Sequence, residues 1–158
     1  KSMIKLVRVD HRLLHGQVAF TWTKNLGVDC ILIANDEVAA DKLRMAALRM
    51  AAPAGVKVVI KNIEDSVAAI QSGKTDKYHL MIILESIKDA DRLTEKLPMI
   101  KHVNLGGVKK EEGKKQISMA VFVSEEETQI LRNMHDRGVE LEIKMVPEDK
   151  SQDAMKLI

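Results

Sequence analysis

Cysteine, aromatic residues and long hydrophobic runs are scarce in this chain, and each shortage removes options. One cysteine, Cys30, in 158 residues excludes an intramolecular disulfide and any zinc site built on several thiolates. It sits in Val28-Asp29-Cys30-Ile31-Leu32-Ile33-Ala34, which reads as a buried strand, so an inert core thiol is expected. Aromatics make up 3% of the residues, which leaves the core to Val, Ile, Leu, Met and Ala. Apolar runs such as Leu80-Met81-Ile82-Ile83-Leu84 fall far short of the ~20 residues of a membrane-spanning helix. No secretory leader pattern is visible, Lys1-Ser2 reads as an addition ahead of Met3, and the expected compartment is the cytoplasm. Neither sign of charge dominates: 25 basic residues face 23 acidic ones, for a net charge of +2. No basic stripe interleaved with aromatics occurs, so nucleic acid is not an expected partner.

What the chain does have is alternation. Ile4–Val9 reads as a strand, followed by a helix from Gly16 to Leu26 with Val18, Ala19, Trp22 and Leu26 on one face and Gly27 as its stop. Cys30–Ala34 is a second strand. The helix after Asn35-Asp36 is predicted to turn Leu43, Ala46, Ala47 and Met50 inward and to end at Pro53 and Gly55. Val56–Ile60, His79–Leu84 and His102–Leu105 follow as strands. Between them lie helices facing the core with Ile63, Val67 and Ile70, and with Ile87, Ala90, Leu93 and Leu97. Gln116–Ala120 reads as a short strand. Ser124-Glu125-Glu126-Glu127 is a capping-box signature for a helix with Ile130, Leu131 and Met134 inward. Val139–Val146 is the last strand, and a short helix ends the chain. Strand–helix alternation throughout specifies an α/β fold: one domain over 1–158, with a mostly parallel central β-sheet and helices on both faces. The strand direction in 106–123 is not legible.

The chemistry gathers at Val9-Asp10-His11-Arg12-Leu13-Leu14-His15-Gly16-Gln17. In a parallel sheet, sites form at the carboxyl ends of the strands, and this loop leaves the first one. His15 lies at a helix mouth. A neutral imidazole is a competent nucleophile near pH 7, with an unperturbed pKa of ~6.5. The N–H groups of Gly16 and Gln17 face a bound anion at that helix start, and Arg12 can hold phosphoryl oxygens through paired hydrogen bonds. Asp10 either fixes the ring tautomer or holds Arg12; the residues alone leave both open. The plainer reading is a capping or loop histidine without chemistry. Chelation of a metal by His11 and His15 is disfavoured, because Gly16 argues against a helix through both and no further ligand cluster is evident. No metal and no cofactor are expected. Gly106-Gly107 reads either as a tight turn or, with Lys109, as part of the phosphate-binding rim.

Asp10-His11-Arg12-Leu13-Leu14-His15-Gly16-Gln17-Val18 closely resembles the active-site motif of the IIB components of the bacterial sugar phosphotransferase system, mannose–fructose–sorbose family. The resemblance continues in Asn35-Asp36-Glu37-Val38-Ala39, Met50-Ala51-Ala52-Pro53, Asn104-Leu105-Gly106-Gly107, Asp136-Arg137-Gly138-Val139 and Met145-Val146-Pro147. It implies His15 as the phosphorylated carrier, attacking through Nδ1, with Arg12 as its phosphate-binding partner and Asp10 nearby. It also implies a IIA protein as phosphoryl donor, a sugar as acceptor, and the membrane components IIC and IID as holders of that sugar. Many members of the family carry an acidic residue where this chain has His11, so no general role attaches to that position.

Competing readings are weaker. A nucleotide-binding enzyme wants a glycine-rich first turn, and Asp10–Gly16 holds a single glycine. A receiver-type module wants an acceptor aspartate where the third strand ends in Lys61-Asn62. A catalytically silent regulatory or small-anion-binding α/β module stands as the alternative. The sugar and the oligomeric state, including a homo-oligomer, are not legible.

Overall fold

The computed structural model describes residues 3–158; the Lys1-Ser2 pair lies outside the described residues. Element order follows the alternation: β1 (Met3–Asp10), α1 (Gly16–Leu26), β2 (Cys30–Ala34), α2 (Asp36–Ala39), α3 (Lys42–Met50), β3 (Lys57–Lys61), α4 (Ile63–Gln71), β4 (His79–Leu84), α5 (Ile87–Lys96), β5 (His102–Gly107), β6 (Lys115–Ser118), β7 (Val121–Val123), α6 (Glu125–Asp136), β8 (Glu140–Ile143) and β9 (Gln152–Asp153). A 3-10 turn at Ala154–Lys156 follows. Among the described residues, seven strands form one sheet in the order β3-β2-β4-β1-β5-β8-β9. All pair in parallel except β9, which returns antiparallel to β8.

Side chains alternate across the sheet, and the two faces bury different helices. Val7 and Val9 of β1 join Leu80, Ile82 and Leu84 of β4 in a core covered by α4, α5 and α6. Leu6 of β1 joins Ile31, Ile33, Met81 and Ile83 under α1, α2 and α3. By the same parity Arg8 and Asp10 point to the α1 face. Leu80–Leu84 is at most 1% exposed throughout, as expected of a strand covered on both sides. Burying each such Leu or Ile contributes about 1.5–3 kcal/mol.

The strand order locates the site. From β1 the chain runs through α1 to β2 on one side, and from β5 it runs to β8 on the other. The connections therefore diverge between the carboxyl ends of β1 and β5, where an open parallel sheet leaves a crevice.

Four expectations are corrected. The helix after β2 is two helices. Asn35 caps α2 by accepting from the Val38 N–H at 2.9 Å, and Asp41 caps α3 by accepting from the Leu43 and Arg44 N–H groups at 3.1 Å. The restart rotates α3 so that Met45 and Leu48 pack on the core, while Leu43 and Met50 are 83% and 88% exposed. Ala46 and Ala47 are exposed with them. Met50→Lys is therefore expected to change unfolding free energy by no more than about 0.5 kcal/mol. A core methionine would lose about 2–5 kcal/mol on truncation; urea unfolding separates the two.

Second, Gly106-Gly107 is not a turn: β5 runs through both glycines, and neither has positive φ. Third, Gln116–Ala120 resolves into β6, which pairs antiparallel with β7 in a separate two-stranded sheet. Fourth, the last long strand stops at Ile143. The Lys144 carbonyl is taken by the side chains of Arg8 and Asn104, and the N–H groups of Met145 and Val146 by Asp149. The Ser124 capping box forms as expected, with both hydrogen bonds at 3.0 Å. Cys30 is buried, and that burial pushes its thiol pKa up.

Candidate active site

The β1–α1 loop is pinned at both ends. The Leu13 N–H donates to the Asp10 carbonyl at 2.8 Å, and the Arg12 N–H donates to Asp10 Oδ1 at 3.0 Å, an Asx-type turn. Leu13 and Leu14 are each 3% exposed and anchor the loop in the α1-side core. The turn leaves Leu13 at φ 60°, a left-handed conformation unfavourable for a branched side chain. Strain of this kind, held at a loop otherwise tied by hydrogen bonds and buried leucines, clusters at functional sites.

Asp10 is the hub. It is fully buried, yet its two oxygens meet three side chains. Oδ1 accepts from Arg12 Nε at 3.3 Å, and Oδ2 accepts from Arg8 Nη2 at 3.2 Å. Oδ2 also lies 3.1 Å from His15 Nε2. Asp10 thus both orients His15 and holds Arg12, where the residues alone left a choice. Burial by itself raises a carboxyl pKa. Here the Arg12 donors, the Arg8 charge and the His15 ring outweigh it, so Asp10 titrates below its ordinary range. A carboxylate accepts and does not donate, so in this contact Nε2 carries the proton and Nδ1 keeps the lone pair.

His15 is the N-cap residue of α1, with extended backbone and no side-chain capping bond, and its side chain is 28% exposed. Gly16 and Gln17 are exposed at the first turn, which has no acidic residue to repel an anion. The Arg12 side chain is 46% exposed, so its remaining N–H groups face solvent beside the ring. His11 is not part of this hydrogen-bond set. With Lys109, Glu85, Ser86, Lys114 and Glu127 it lines a cleft of about 440 Å³ whose lining includes Lys109 but not His15. His79 and His102 sit at strand starts, at the opposite edge of the sheet. Among the described residues no cluster of three His, Cys, Asp or Glu side chains is placed to hold a metal ion.

Two participants escaped the sequence reading. Arg8 is 2% exposed and Asn104 is fully buried beneath Asp10. The signal for Arg8 was present: a charge in an otherwise apolar buried strand requires a partner. Gly106 is explained by it, since a Cβ there would fall 2.1 Å from Arg8 Cζ. At Gly107 a Cβ would stand 3.3 Å from both Asp10 Oδ1 and His11 Nδ1.

Fold and site together define a parallel α/β domain that presents a histidine, held by a buried carboxylate, at a helix N-terminus. Residues 4–158 match the family of the PTS system sorbose subfamily IIB component, and the chain belongs to that family. It is 36% identical over 156 residues to the PTS system mannose-specific EIIAB component of Escherichia coli K12, covering 99% of this chain and 48% of that protein. It therefore spans about half the length of the mannose-specific relatives. The fructose-specific EIIB component of Bacillus subtilis is 31% identical over 155 residues, covering 98% of this chain and 95% of that protein. The crystal structure of the IIBSor domain of the sorbose permease from Klebsiella pneumoniae superposes with a TM-score of 0.92 at 32% identity, covering 98% and 94% of the two chains.

Proposed function

We propose that the chain acts as one IIB unit whose phosphoryl carrier is His15. The observation that carries this reading is the contact of His15 Nε2 with the ionised Asp10, which leaves Nδ1 as the basic nitrogen on a half-buried, solvent-facing ring. A IIA protein bearing a phosphohistidine is the donor. Its P–N bond breaks as a P–N bond to Nδ1 forms. The group then passes to a hydroxyl of a sugar held by the membrane components IIC and IID, and the hydroxyl loses its proton. In this reading the chain meets those components from the cytoplasmic side as a peripheral partner; among the described residues no helix is long and apolar enough to cross a membrane.

The machinery is mainly positional and electrostatic. Arg12 supplies outward donors to the phosphoryl oxygens while Asp10 holds its Nε. The N–H groups of Gly16 and Gln17 receive the same anion at the start of α1. Gly106 and Gly107 serve the phosphate site through the room they leave for Arg8, Asp10 and His11. The alternative, a silent anion-binding module, would have no use for a histidine held in one tautomer.

Incubation with a phosphorylated IIA donor, followed by mass mapping in base, tests the relay. A base-stable, acid-labile phosphoryl group on His15 is expected; its absence with several donors sinks the reading. Arg12→Ala is expected to slow transfer about 100-fold, the scale of one lost donor to a developing oxyanion. An unchanged rate in stopped-flow or quench assays removes Arg12 from the mechanism.

A further inference from the structure

The buried side of the Asp10 carboxylate carries a second arginine that no step of the relay uses. Arg8 Nη1 donates to Asn104 Oδ1 at 2.7 Å and to the Lys144 carbonyl at 3.2 Å, while Nη2 donates to Asp10 Oδ2 at 3.2 Å. Asn104 Nδ2 donates to the same Lys144 carbonyl at 3.0 Å, which fixes the amide that anchors Arg8. The Trp22 ring lies 5.5 Å from Arg8 Cζ, and its Nε1 donates to the Met145 carbonyl at 2.9 Å. With Gly106 leaving space for the guanidinium, β1, β5, α1 and the chain after β8 all converge on one side chain. We infer that Arg8, anchored by Asn104, is a positioning residue for the phosphoryl carrier: it locks the Asp10 carboxylate so that Oδ2 holds His15 Nε2–H and Nδ1 faces outward. The inference rests on the carrier reading of His15 and deepens it.

Stability alone does not account for the arrangement. An arginine enclosed in a sheet core costs desolvation, and an apolar residue of similar volume there is often neutral or stabilising. What the arginine adds is geometry. Its guanidinium is a rigid planar fork, so locking Nη1 on Asn104 and the Lys144 carbonyl sets where Nη2 lies. Nη2 and His15 Nε2 then meet the same carboxylate oxygen. Without the fork, Oδ1 would keep the Arg12 N–H at 3.0 Å and Arg12 Nε at 3.3 Å, but Oδ2 would keep only the exposed Arg12 Nη2, at 3.5 Å, beside the ring. Oδ2 would then be loosely held and could swing out of line with the ring. The imidazole would then populate the tautomer that places the proton on Nδ1 and removes the nucleophile.

Two substitutions test this in the whole protein. Arg8→Lys keeps the charge but, as a point donor, does not span Asn104 and Asp10 together. Asn104→Ala keeps the Arg8–Asp10 ion pair but leaves Nη1 only the longer bond to the Lys144 carbonyl, at 3.2 Å. Nitrogen-15 NMR of the histidine rings in the unphosphorylated protein reads the His15 tautomer directly. The Nε2–H form is expected in the parent and a mixture in both variants. Phosphoryl acceptance at saturating donor is expected to fall about 10- to 100-fold, the scale of an angstrom-sized misplacement. The half-saturating donor concentration is expected to stay put, because Arg8 is 2% exposed and touches no donor. A folded variant with the parent tautomer and rate overturns the inference. If Arg8→Lys does not fold, Asn104→Ala decides on the same readouts. The tautomer measurement needs no donor, so an unphosphorylated His15 in the parent would sink the carrier reading and leave this result to stand or fall separately.

Discussion

His15→Ala is expected to abolish phosphoryl acceptance and to leave the fold standing. The expected loss is at least about 10⁴-fold, as when the nucleophile of a covalent mechanism is removed. The hydrogen-bond set around Asp10 has one imidazole, that of His15, and His11 makes no hydrogen bond to the carboxylate. Stability should change little. The His15 side chain makes no capping bond, and losing it leaves Asp10 paired with both arginines. Incorporation of an acid-labile phosphoryl group from phosphorylated IIA measures the first part, and the thermal midpoint measures the second. Full transfer by the alanine variant would end the relay reading outright.

Asp10→Asn is the more informative substitution because it nearly preserves shape. Oδ2 faces three donors, Arg8 Nη2, His15 Nε2 and, at 3.5 Å, Arg12 Nη2. An amide that keeps its oxygen toward the Arg12 N–H places its NH2 against all three. His15 then relieves its clash by moving its ring proton to Nδ1, the nitrogen proposed to attack. A wrong tautomer at an otherwise intact site lowers turnover by about 10⁴-fold in the serine-protease triad, and a fall of about 10²–10⁴-fold is expected here. The variant also leaves the buried Arg8 without its counter-ion, for a destabilisation of about 3–5 kcal/mol.

The stability effect has a predictable pH dependence. The folded Asp10 pKa is depressed, so its contribution is fully present above the unfolded value of about 3.9 and is lost as pH falls through the lower folded value. The stability gap between the parent and Asp10→Asn should therefore be constant at neutral pH and narrow below about pH 4. Urea midpoints measured across that range give the comparison. A gap that widened in acid would show that Asp10 is not held as a carboxylate.

Periodicity served well wherever a helix had one apolar stripe. Ile87, Ala90, Leu93 and Leu97 are all fully buried, as their spacing predicts. It failed at α3, where Lys42–Met50 carries apolar residues around most of its circumference, so two inward faces were compatible with the pattern. The Asp41 cap chose between them, and a cap acts on axis direction rather than on periodicity. The end of β8 was missed for a related reason. Val139–Val146 has strand-like content, but the Lys144 carbonyl is claimed by residues 136 and 40 positions away along the chain.

The sequence by itself determined the order of the elements, the α/β class and the histidine at the first helix mouth, because these follow from neighbours along the chain. Local spacing also brought Asp10, Arg12 and His15 within reach of one another. Only the tertiary structure decided that Asp10 serves both partners, that Gly106 makes room for Arg8, and that β1 lies between β4 and β5. The physical reason is distance along the chain. A buried charge needs partners wherever the fold supplies them, and for Arg8 the nearest such acceptor on β5 is 96 residues away in sequence and 2.7 Å away in space.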